Sequence, residues 1–308
     1  MYHFQRSKAS RGTELAVTGQ MFSLFAWTER ERASFDQLGF VVRRDAWDAE
    51  LVSFLHVRSN ELGRQARQQL KLINHGRTSP AEWASRSSQD LIVVPEAGDP
   101  ECLCRFEFIL GNDPAMAGFV TARLMPMIDS LLGEAFIPFK DKENEKTPGG
   151  GAFRPHQDFA AYQAFGPRYN VTAMLSIDPG TLENGCVEFA TNAMDVAGRK
   201  PQLVQCWIEG RPLFAHYNGG EKNGDILDEI SEQLVWQPVP TASSDLVLFD
   251  SFVPHRSQAN GSASQRRAMF LTFSARREGD WYSPYYLEKR ANYADPKFHV
   301  STPTVHAS

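Results

Sequence analysis

A histidine and an aspartate separated by one residue, His156 and Asp158, form the first pair in this sequence whose types and spacing suit metal binding. On a β-strand, residues i and i+2 point to the same face, so both side chains can reach one ion. The pair follows three glycines at 149–151, and a polar turn explains it equally well. With eight histidines in the chain, roughly one such sequence in two or three carries this pair by chance. The pair alone decides nothing.

A second histidine, His255, lies about a hundred residues further on, after an apolar run at 246–249 that predicts a strand. Two histidines and one carboxylate form a facial triad that leaves three coordination positions open on Fe(II). The glycines at 149–151 are not followed by the helix start and the lysine of a phosphate-binding loop. We therefore interpret them as a flexible turn that leads into a metal-binding strand.

Two arginines, Arg266 and Arg267, stand 11 and 12 residues beyond His255, at the start of another predicted strand. Enzymes that use this triad with 2-oxoglutarate need a cation for the far carboxylate of that co-substrate, and an arginine binds a carboxylate through two parallel hydrogen bonds. Adjacent strand residues face opposite ways, so only one of the two can point inward. Ser257 could add a hydroxyl contact.

The elements that must position these residues change character at Gly133. Short apolar or alternating runs bounded by Gly, Pro, Asn and Asp predict strands at 135–139, 170–177, 186–190, 233–239, 246–249 and 268–274. Such a series favours a mainly β fold with supporting α-helices, built on a barrel or jelly roll. Earlier in the chain, Cys102 and Cys104 lie in an alternating run that also predicts a strand with buried thiols.

Helices are predicted before that point. The stretch 27–71 is helical except for a short strand at 40–42, with Asp45 and Asp48 placed to cap the long helix. Ser79 begins another helix, and a third runs from Asp113 to Gly133 with a kink at Pro126. We expect a single domain over 1–308, with helical support mainly at 28–133, a jelly-roll core mainly at 135–276 and a lid within 192–228.

Composition narrows the class of partner. The chain has 32 basic and 37 acidic side chains, a net charge of −5 and no run of Lys or Arg, which makes a nucleic-acid partner unexpected. No uninterrupted apolar run has the length of a membrane span, and the first residues lack the apolar block of a signal peptide. A cytoplasmic protein without a membrane partner is expected, as a monomer or a homodimer.

Taken together, RPHQD at 154–158, TLENGCVEF at 181–189 and FDSFVPHRSQANGSASQRRAMFLTF at 249–273 resemble the phytanoyl-CoA dioxygenase family of Fe(II)/2-oxoglutarate oxygenases. FKDKENEKTPGGGAFRPHQD resembles a subgroup that contains ectoine hydroxylase, phosphonate hydroxylases and many natural-product oxygenases. The resemblance extends from about residue 35 to 286. It implies a double-stranded β-helix core of the cupin-like jelly-roll type.

The resemblance also implies roles for individual residues. The metal ligands would be His156, Asp158 and His255. The co-substrate residues would be Arg266, in preference to Arg267, together with Ser257, Asn144 and, less directly, Lys142. No catalytic residue beyond the metal ligands is expected. Substrate contacts are guessed from proximity to the metal strands, at Arg105, Phe159 and Tyr162. Inward Arg105 and Arg154 would favour an anionic or carboxylate-bearing substrate, and inward aromatic side chains a flat apolar one.

The function that follows is hydroxylation or another oxidation of a small molecule, in secondary metabolism, with Fe(II), 2-oxoglutarate and O2 consumed to release succinate and CO2. Related halogenases replace the aspartate by a small residue, so Asp158 favours oxidation over halogenation. A phosphonate hydroxylase of the same subgroup is one alternative. A non-catalytic cupin-like binding protein is the other, and it would have no need of Arg266.

Overall fold

Two antiparallel sheets face each other around the candidate triad. The computed structural model describes residues 26–96, 99–194 and 204–300. The large sheet contains, in spatial order, β1 (Phe40–Arg43), β11 (Leu246–Asp250), β6 (Asn170–Ser176), β13 (Arg266–Ala275), β4 (Phe136–Lys146), β3 (Leu103–Glu107) and β2 (Ile92–Pro95). The small sheet contains β10 (Trp236–Pro238), β7 (Val187–Ala190), β12 (His255–Ser257) and β5 (Phe153–His156). A separate hairpin is formed by β8 (Val204–Ile208) and β9 (Arg211–Phe214).

Most helices precede β4 in the chain. They are α1 (Glu29–Leu38), α2 (Ala49–His75), α3 (Pro80–Arg86), α4 (Ile109–Asn112), α5 (Pro114–Phe119) and α6 (Met125–Leu132), with a π-helical segment, Val120–Leu124, between the last two. Later come α7 (Phe159–Tyr162), α8 (Asp228–Ser231) and α9 (Tyr282–Ala291), with 3₁₀ turns at Arg276–Glu278 and Pro296–Phe298.

Side-chain caps fix where the early helices begin. Asp48 caps α2 and Ser79 caps α3, the latter with a complete capping box to Glu82. The prediction that Asp45 also serves as a cap is wrong. Its backbone has a φ of 50°, and its carboxylate accepts a hydrogen bond from the Ser244 hydroxyl instead.

The apolar core lies on both faces of the large sheet. One cluster fills the space between the outer face and helices α1, α2, α5 and α6, and includes Leu62, Leu70 and Ile128. A second cluster lies between the two sheets and includes Phe189 and Phe249. The large sheet is therefore buried on both sides, which explains why its strands read as apolar runs as often as alternating ones.

The segment Pro114–Leu132 changes from a π-helical turn to an α-helix next to Pro126. Pro126 has no amide hydrogen, and the preceding turn is the π-helical segment, where the Met125 amide donates to the Val120 carbonyl five residues back. Among the described residues, this segment is long and apolar enough, by length and composition alone, to cross a membrane. Its side chains at Met116, Leu124 and Ile128 are nonetheless fully buried against the sheet, as in the core helix of a globular domain.

The mainly β fold with a jelly-roll core is confirmed. Several boundaries differ from the predictions. Strand β4 continues to Lys146 instead of ending near 139, because its second half alternates lysine with acidic residues and was too polar to be recognised as a strand. Strand β2 and the β8–β9 hairpin were not predicted. The proposed lid at 192–228 contains that hairpin, while its residues 195–203 lie outside the described part of the chain.

Candidate active site

Neighbouring strands of the small sheet bring the two histidines together. His156 is the last residue of β5 and His255 the first of β12, and the two are direct partners in the antiparallel pairing. The sequence suggested that Asp158 lies on the same strand as His156. In the structure, Asp158 instead begins the turn of α7. The carboxylate therefore reaches the histidines because the chain turns after His156, and not because of strand alternation.

The three side chains converge on one point. One Asp158 carboxylate oxygen lies 3.9 Å from Nε2 of His156 and 4.0 Å from Nε2 of His255, and one ligand atom from each residue falls within 4.8 Å of the others. All three residues are buried. A divalent ion at the centre of this group would have two nitrogen ligands and one oxygen ligand on one side.

Backbone carbonyls orient both imidazoles. Nδ1 of His156 lies 2.7 Å from the Arg154 carbonyl oxygen, and Nδ1 of His255 lies 3.1 Å from the Val253 carbonyl oxygen. A carbonyl can only accept, so each Nδ1 carries the hydrogen and each Nε2 keeps its lone pair. Both free lone pairs belong to the nitrogens that approach Asp158.

The buried environment sets the charge state of the triad. Burial, followed by the proximity of His255, lowers the pKa of His156 to about 3, and burial likewise lowers the pKa of His255. Burial alone would raise the pKa of Asp158, but His255 and Lys142 bring it down to about 2. Neutral imidazoles beside an ionised carboxylate are the protonation states in which these groups bind a metal.

Arg266 and Ser257 line one end of the same cavity, and the buried Lys146 contacts Ser257. Arg266 and Lys146 face each other across β13 and β4. Lys146 donates to the Ser257 hydroxyl at 2.8 Å, and Arg266 donates to the Gly185 carbonyl at 2.5 Å. Burial lowers the pKa of Arg266 to about 10, and burial together with Arg266 lowers that of Lys146 to about 7. Two basic side chains and a hydroxyl are groups that suit a carboxylate ligand.

The neighbouring arginine faces the other way. Arg267 forms an ion pair with Asp178 at 2.8 Å and donates to Ser59 and Asn60 of α2. It thus joins the large sheet to the helical layer. Of the two candidates left open by the spacing, only Arg266 lines the cavity that contains the triad.

Comparison with known proteins agrees with this geometry. Residues 35–268 match the profile of the family described as phytanoyl-CoA dioxygenase (PhyH). The chain belongs to the phytanoyl-CoA dioxygenase family. The family predicted from the motifs is thus confirmed.

Relatives in this family include a 2-aminoethylphosphonate dioxygenase from uncultured bacterium HF130_AEPn_1, 35% identical over 192 residues, and a methylphosphonate hydroxylase from Gimesia maris, 36% identical over 191 residues. Each alignment covers 62% of this chain, and it spans 66% and 65% of the respective relative, just under two thirds. Among solved structures, EctD from S. alaskensis with 2-oxoglutarate and 5-hydroxyectoine superposes with a TM-score of 0.58 at 18% identity, covering 82% of this chain and 80% of that one. This last likeness supports the fold.

The residues present suit the metal and the co-substrate of the phytanoyl-CoA dioxygenase family. Two neutral imidazoles and a carboxylate match the preference of Fe(II), and Arg266 with Lys146 suits the far carboxylate of 2-oxoglutarate. Asn144 also lines the cavity, and its buried side-chain oxygen has no hydrogen-bond partner among the described residues. Such an orphaned polar atom is expected where a ligand or water belongs.

Lys146 was missed in the sequence, although a signal for it was present. Residues 142, 144 and 146 alternate along β4 and therefore share a face. Once Asn144 and Lys142 are placed near the co-substrate, the next residue on that face is Lys146. The prediction failed because the strand was expected to end near 139.

The three guessed substrate residues do not line the cavity around the triad. Arg105 donates to Glu107 and to the Phe298 carbonyl, both at 3.0 Å. Phe159 stacks on Phe252, and the Tyr162 hydroxyl lies 3.4 Å from the Thr272 hydroxyl. Their roles as substrate residues stay predictions.

Arg154 likewise points away from the triad. Its guanidinium forms an ion pair with Asp225 at 3.1 Å and contacts the Glu221 carbonyl. Arg154 would favour an anionic substrate only if its guanidinium pointed into the cavity. Because it does not, Arg154 does not support an anionic substrate.

Gln157, the residue between two of the ligands, was expected only to face away from the metal. It does so, and its buried amide contacts three backbone groups: it donates to the carbonyls of Pro212 at 2.8 Å and Phe252 at 2.5 Å, and it accepts from the Phe214 amide at 2.8 Å. These bonds join β9 and the turn before His255 to the metal-binding segment. We refer to this set of bonds as the Gln157 clamp.

Proposed function

We propose that this protein is an Fe(II)/2-oxoglutarate-dependent oxygenase that hydroxylates or otherwise oxidises a small organic molecule. One observation carries the proposal. A buried triad of two imidazoles and a carboxylate lines the same cavity as Arg266 and Ser257, and the Ser257 hydroxyl accepts a hydrogen bond from the buried Lys146. Chemistry at that cavity needs a metal ion and an anionic co-substrate held next to each other, and the residues supply both sites.

Each group in the cavity has a distinct task in this proposal. His156, Asp158 and His255 hold the metal and leave one side of it open. Arg266 and Lys146 bind the far carboxylate of 2-oxoglutarate, with Ser257 as a hydroxyl donor. When bound, the Fe(II) supplies the site at which O2 and 2-oxoglutarate react, with release of succinate and CO2. The aromatic surroundings, Phe249 beside His255 among them, exclude water.

The buried cations also weigh against a binding protein without activity. A purely structural metal site has no use for Arg266 and Lys146, and it costs free energy to bury two basic side chains that have no carboxylate partner in the described part of the chain. We further propose that the chain acts as one domain, with the β8–β9 hairpin as part of a lid over the site. Phosphonate hydroxylation is a narrower candidate, supported by the two relatives whose names contain that chemistry.

Anaerobic titration with Fe(II) and 2-oxoglutarate tests the proposal. The expected result is a weak metal-to-ligand charge-transfer band that requires both ligands, and 2-oxoglutarate turnover when O2 is admitted. Asp158→Ala should abolish the band, whereas Asp48→Ala, at a distant helix cap, should retain it. The proposal fails if the wild-type protein gives no band, or if Asp158→Ala binds Fe(II) as tightly as the wild type does.

A further inference from the structure

Two lysines, Lys140 and Lys142, lie on the inner face of β4. Among the described residues, neither side chain forms a hydrogen bond or an ion pair. Their ammonium groups instead lie over aromatic rings, Lys140 at 5.4 Å from Tyr162 and Tyr285, and Lys142 at 5.3 Å from Phe270. Lys140 is only 8% exposed and Lys142 is partly buried.

The two carboxylates whose charges act on both lysines, Glu107 and Asp158, already have other partners or roles. Glu107 lies opposite Lys142 in the strand pairing, but its Oε1 accepts from Lys289 at 2.6 Å and from Arg105 at 3.0 Å. Two cations thus already share the single negative charge of Glu107 through Oε1, and its Oε2 has no hydrogen-bond partner among the described residues, so neither of the two β4 lysines is bonded to it. The other carboxylate that acts on both lysines is Asp158, which belongs to the metal triad.

Such an arrangement costs stability unless another anion completes it. Ring faces return only part of the hydration that a buried ammonium loses, and the two like charges repel each other. Lys142 lines the same cavity as Asp158 and His255, so an anion could approach it from the side of the triad. Excess positive charge next to a reaction site indicates that the missing anion arrives with a ligand.

The co-substrate is a poor candidate for that anion. Lys142 and Lys146 are four residues apart on one strand, a separation of roughly 13 Å along the backbone. Arg266 and Ser257 lie at the Lys146 end. The two ends of the cavity therefore suit two different ligands.

We propose that Lys142, supported by Lys140, binds an anionic group of the organic substrate, a phosphonate or a carboxylate. This assignment rests on the proposed oxygenase function and specifies the substrate class of the same site. It differs from the sequence prediction, in which Lys142 contacts the co-substrate. Tyr162 and Tyr285 do not line the cavity, and in this proposal their rings support the ammonium group of Lys140.

Binding of small anionic probes tests the assignment. The protein, loaded anaerobically with Fe(II) and saturating 2-oxoglutarate so that the Arg266 end is occupied, is titrated calorimetrically with methylphosphonate and, separately, with acetate. Lys142→Met should weaken probe binding by roughly 10- to 100-fold, the effect of losing one charge-assisted hydrogen bond. Lys140→Met should have a smaller effect. Lys71→Met, on the exposed side of α2, is the matched control and should bind as the wild type does.

Two further readings separate binding from folding and from the co-substrate. Without ligands, Lys140→Met and Lys142→Met should melt at the same temperature as the wild type or higher, because a desolvated charge has been removed. Their charge-transfer band with Fe(II) and 2-oxoglutarate should persist. Preference for methylphosphonate over acetate would identify the anion as a phosphonate, and the reverse preference as a carboxylate.

The assignment is overturned if neither probe binds the wild type, if Lys142→Met binds both probes equally well, or if Lys142→Met loses the 2-oxoglutarate band. The last result would return Lys142 to the co-substrate. A wild-type protein without the band would instead refute the oxygenase function itself, so the two failures are distinguishable.

Discussion

The two faces of strand β4 carry side chains of opposite charge, and they differ in whether those side chains have partners within the protein. Facing the helices, Glu143 accepts from the Ser59 hydroxyl at 2.7 Å, Glu145 accepts from Arg67 at 2.6 Å, and Asp141 accepts from the amides of α4. Facing the cavity, the lysines at 140, 142 and 146 have no carboxylate partner among the described residues. Asp141 and Glu145 therefore have their partners within the protein and Glu143 has one donor, although its second oxygen has no partner among the described residues, whereas the other face leaves its cations without a counter-charge. The comparison suggests that buried charges without partners mark function, whereas partnered ones mark architecture.

The adjacent arginines of β13 provide the largest test of this contrast. Arg266→Leu should raise the KM for 2-oxoglutarate by roughly 100-fold or more, because two charge-assisted hydrogen bonds to the carboxylate are lost. Arg267→Leu should instead lower the melting temperature, since it leaves Asp178 without its partner, and it should change that KM far less. Steady-state kinetics and thermal melts of both variants check this. Equal effects of the two variants on KM would break the comparison.

Lys289 is a buried cation of α9 that does have a partner, so it should behave like the residues on the helical face of β4. It is fully buried and donates to Glu107 at 2.6 Å. Lys289→Met should cost about 3 to 5 kcal/mol of unfolding free energy, the usual effect of removing one member of a buried ion pair. Denaturant unfolding measures it, with Lys140→Met as the matched variant without an ion pair. The contrast would be refuted by an equal loss of stability in both.

Glu143 gives the smallest effect and a defined pH dependence. Burial raises the pKa of Glu143 to about 8, above its usual value of 4.5. The folded state thus binds more protons than the unfolded state between pH 4.5 and 8, and its stability falls as the pH rises through that window. Glu143→Gln should match the wild type near pH 5 and exceed it by up to about 1 kcal/mol for each pH unit above that. A stability difference that does not change between pH 5 and 8 would contradict the assignment.

The sequence predicted the cavity better than its surroundings. His156, Asp158 and His255 followed from residue types whose chemistry demands a particular arrangement, the family resemblance selected Arg266 over Arg267, and the structure brings all four to one cavity. Asp158 nevertheless reaches the histidines by a turn and not along a strand. A metal-binding motif predicts which side chains must come together, but more than one backbone conformation can bring them together.

Residues without such a chemical demand were harder to predict. The three guessed substrate residues were chosen by proximity along the chain, yet their partners, such as Phe298 for Arg105 and Thr272 for Tyr162, come from more than a hundred residues away. The helix α9, which supplies Tyr285 and Lys289 to this region, begins beyond the part of the chain that matches the family profile. Long-range pairing of this kind has no local signature.

The Gln157 clamp has a consequence for how such a protein can diversify. Among the described residues, the side-chain amide of Gln157 forms hydrogen bonds only with main-chain atoms of the hairpin and of the turn before His255. Because every residue type except proline has the same amide hydrogen, and every residue has the same carbonyl, the exposed side chains of β8 at 205–207 can be exchanged while the hairpin stays docked beside the metal-binding segment, whereas Leu213 and Phe214 of β9 are held in the apolar core. Mutational tolerance in the hairpin and constancy at Gln157 are therefore compatible, and new substrates can be accommodated there without rebuilding the site that oxidises them.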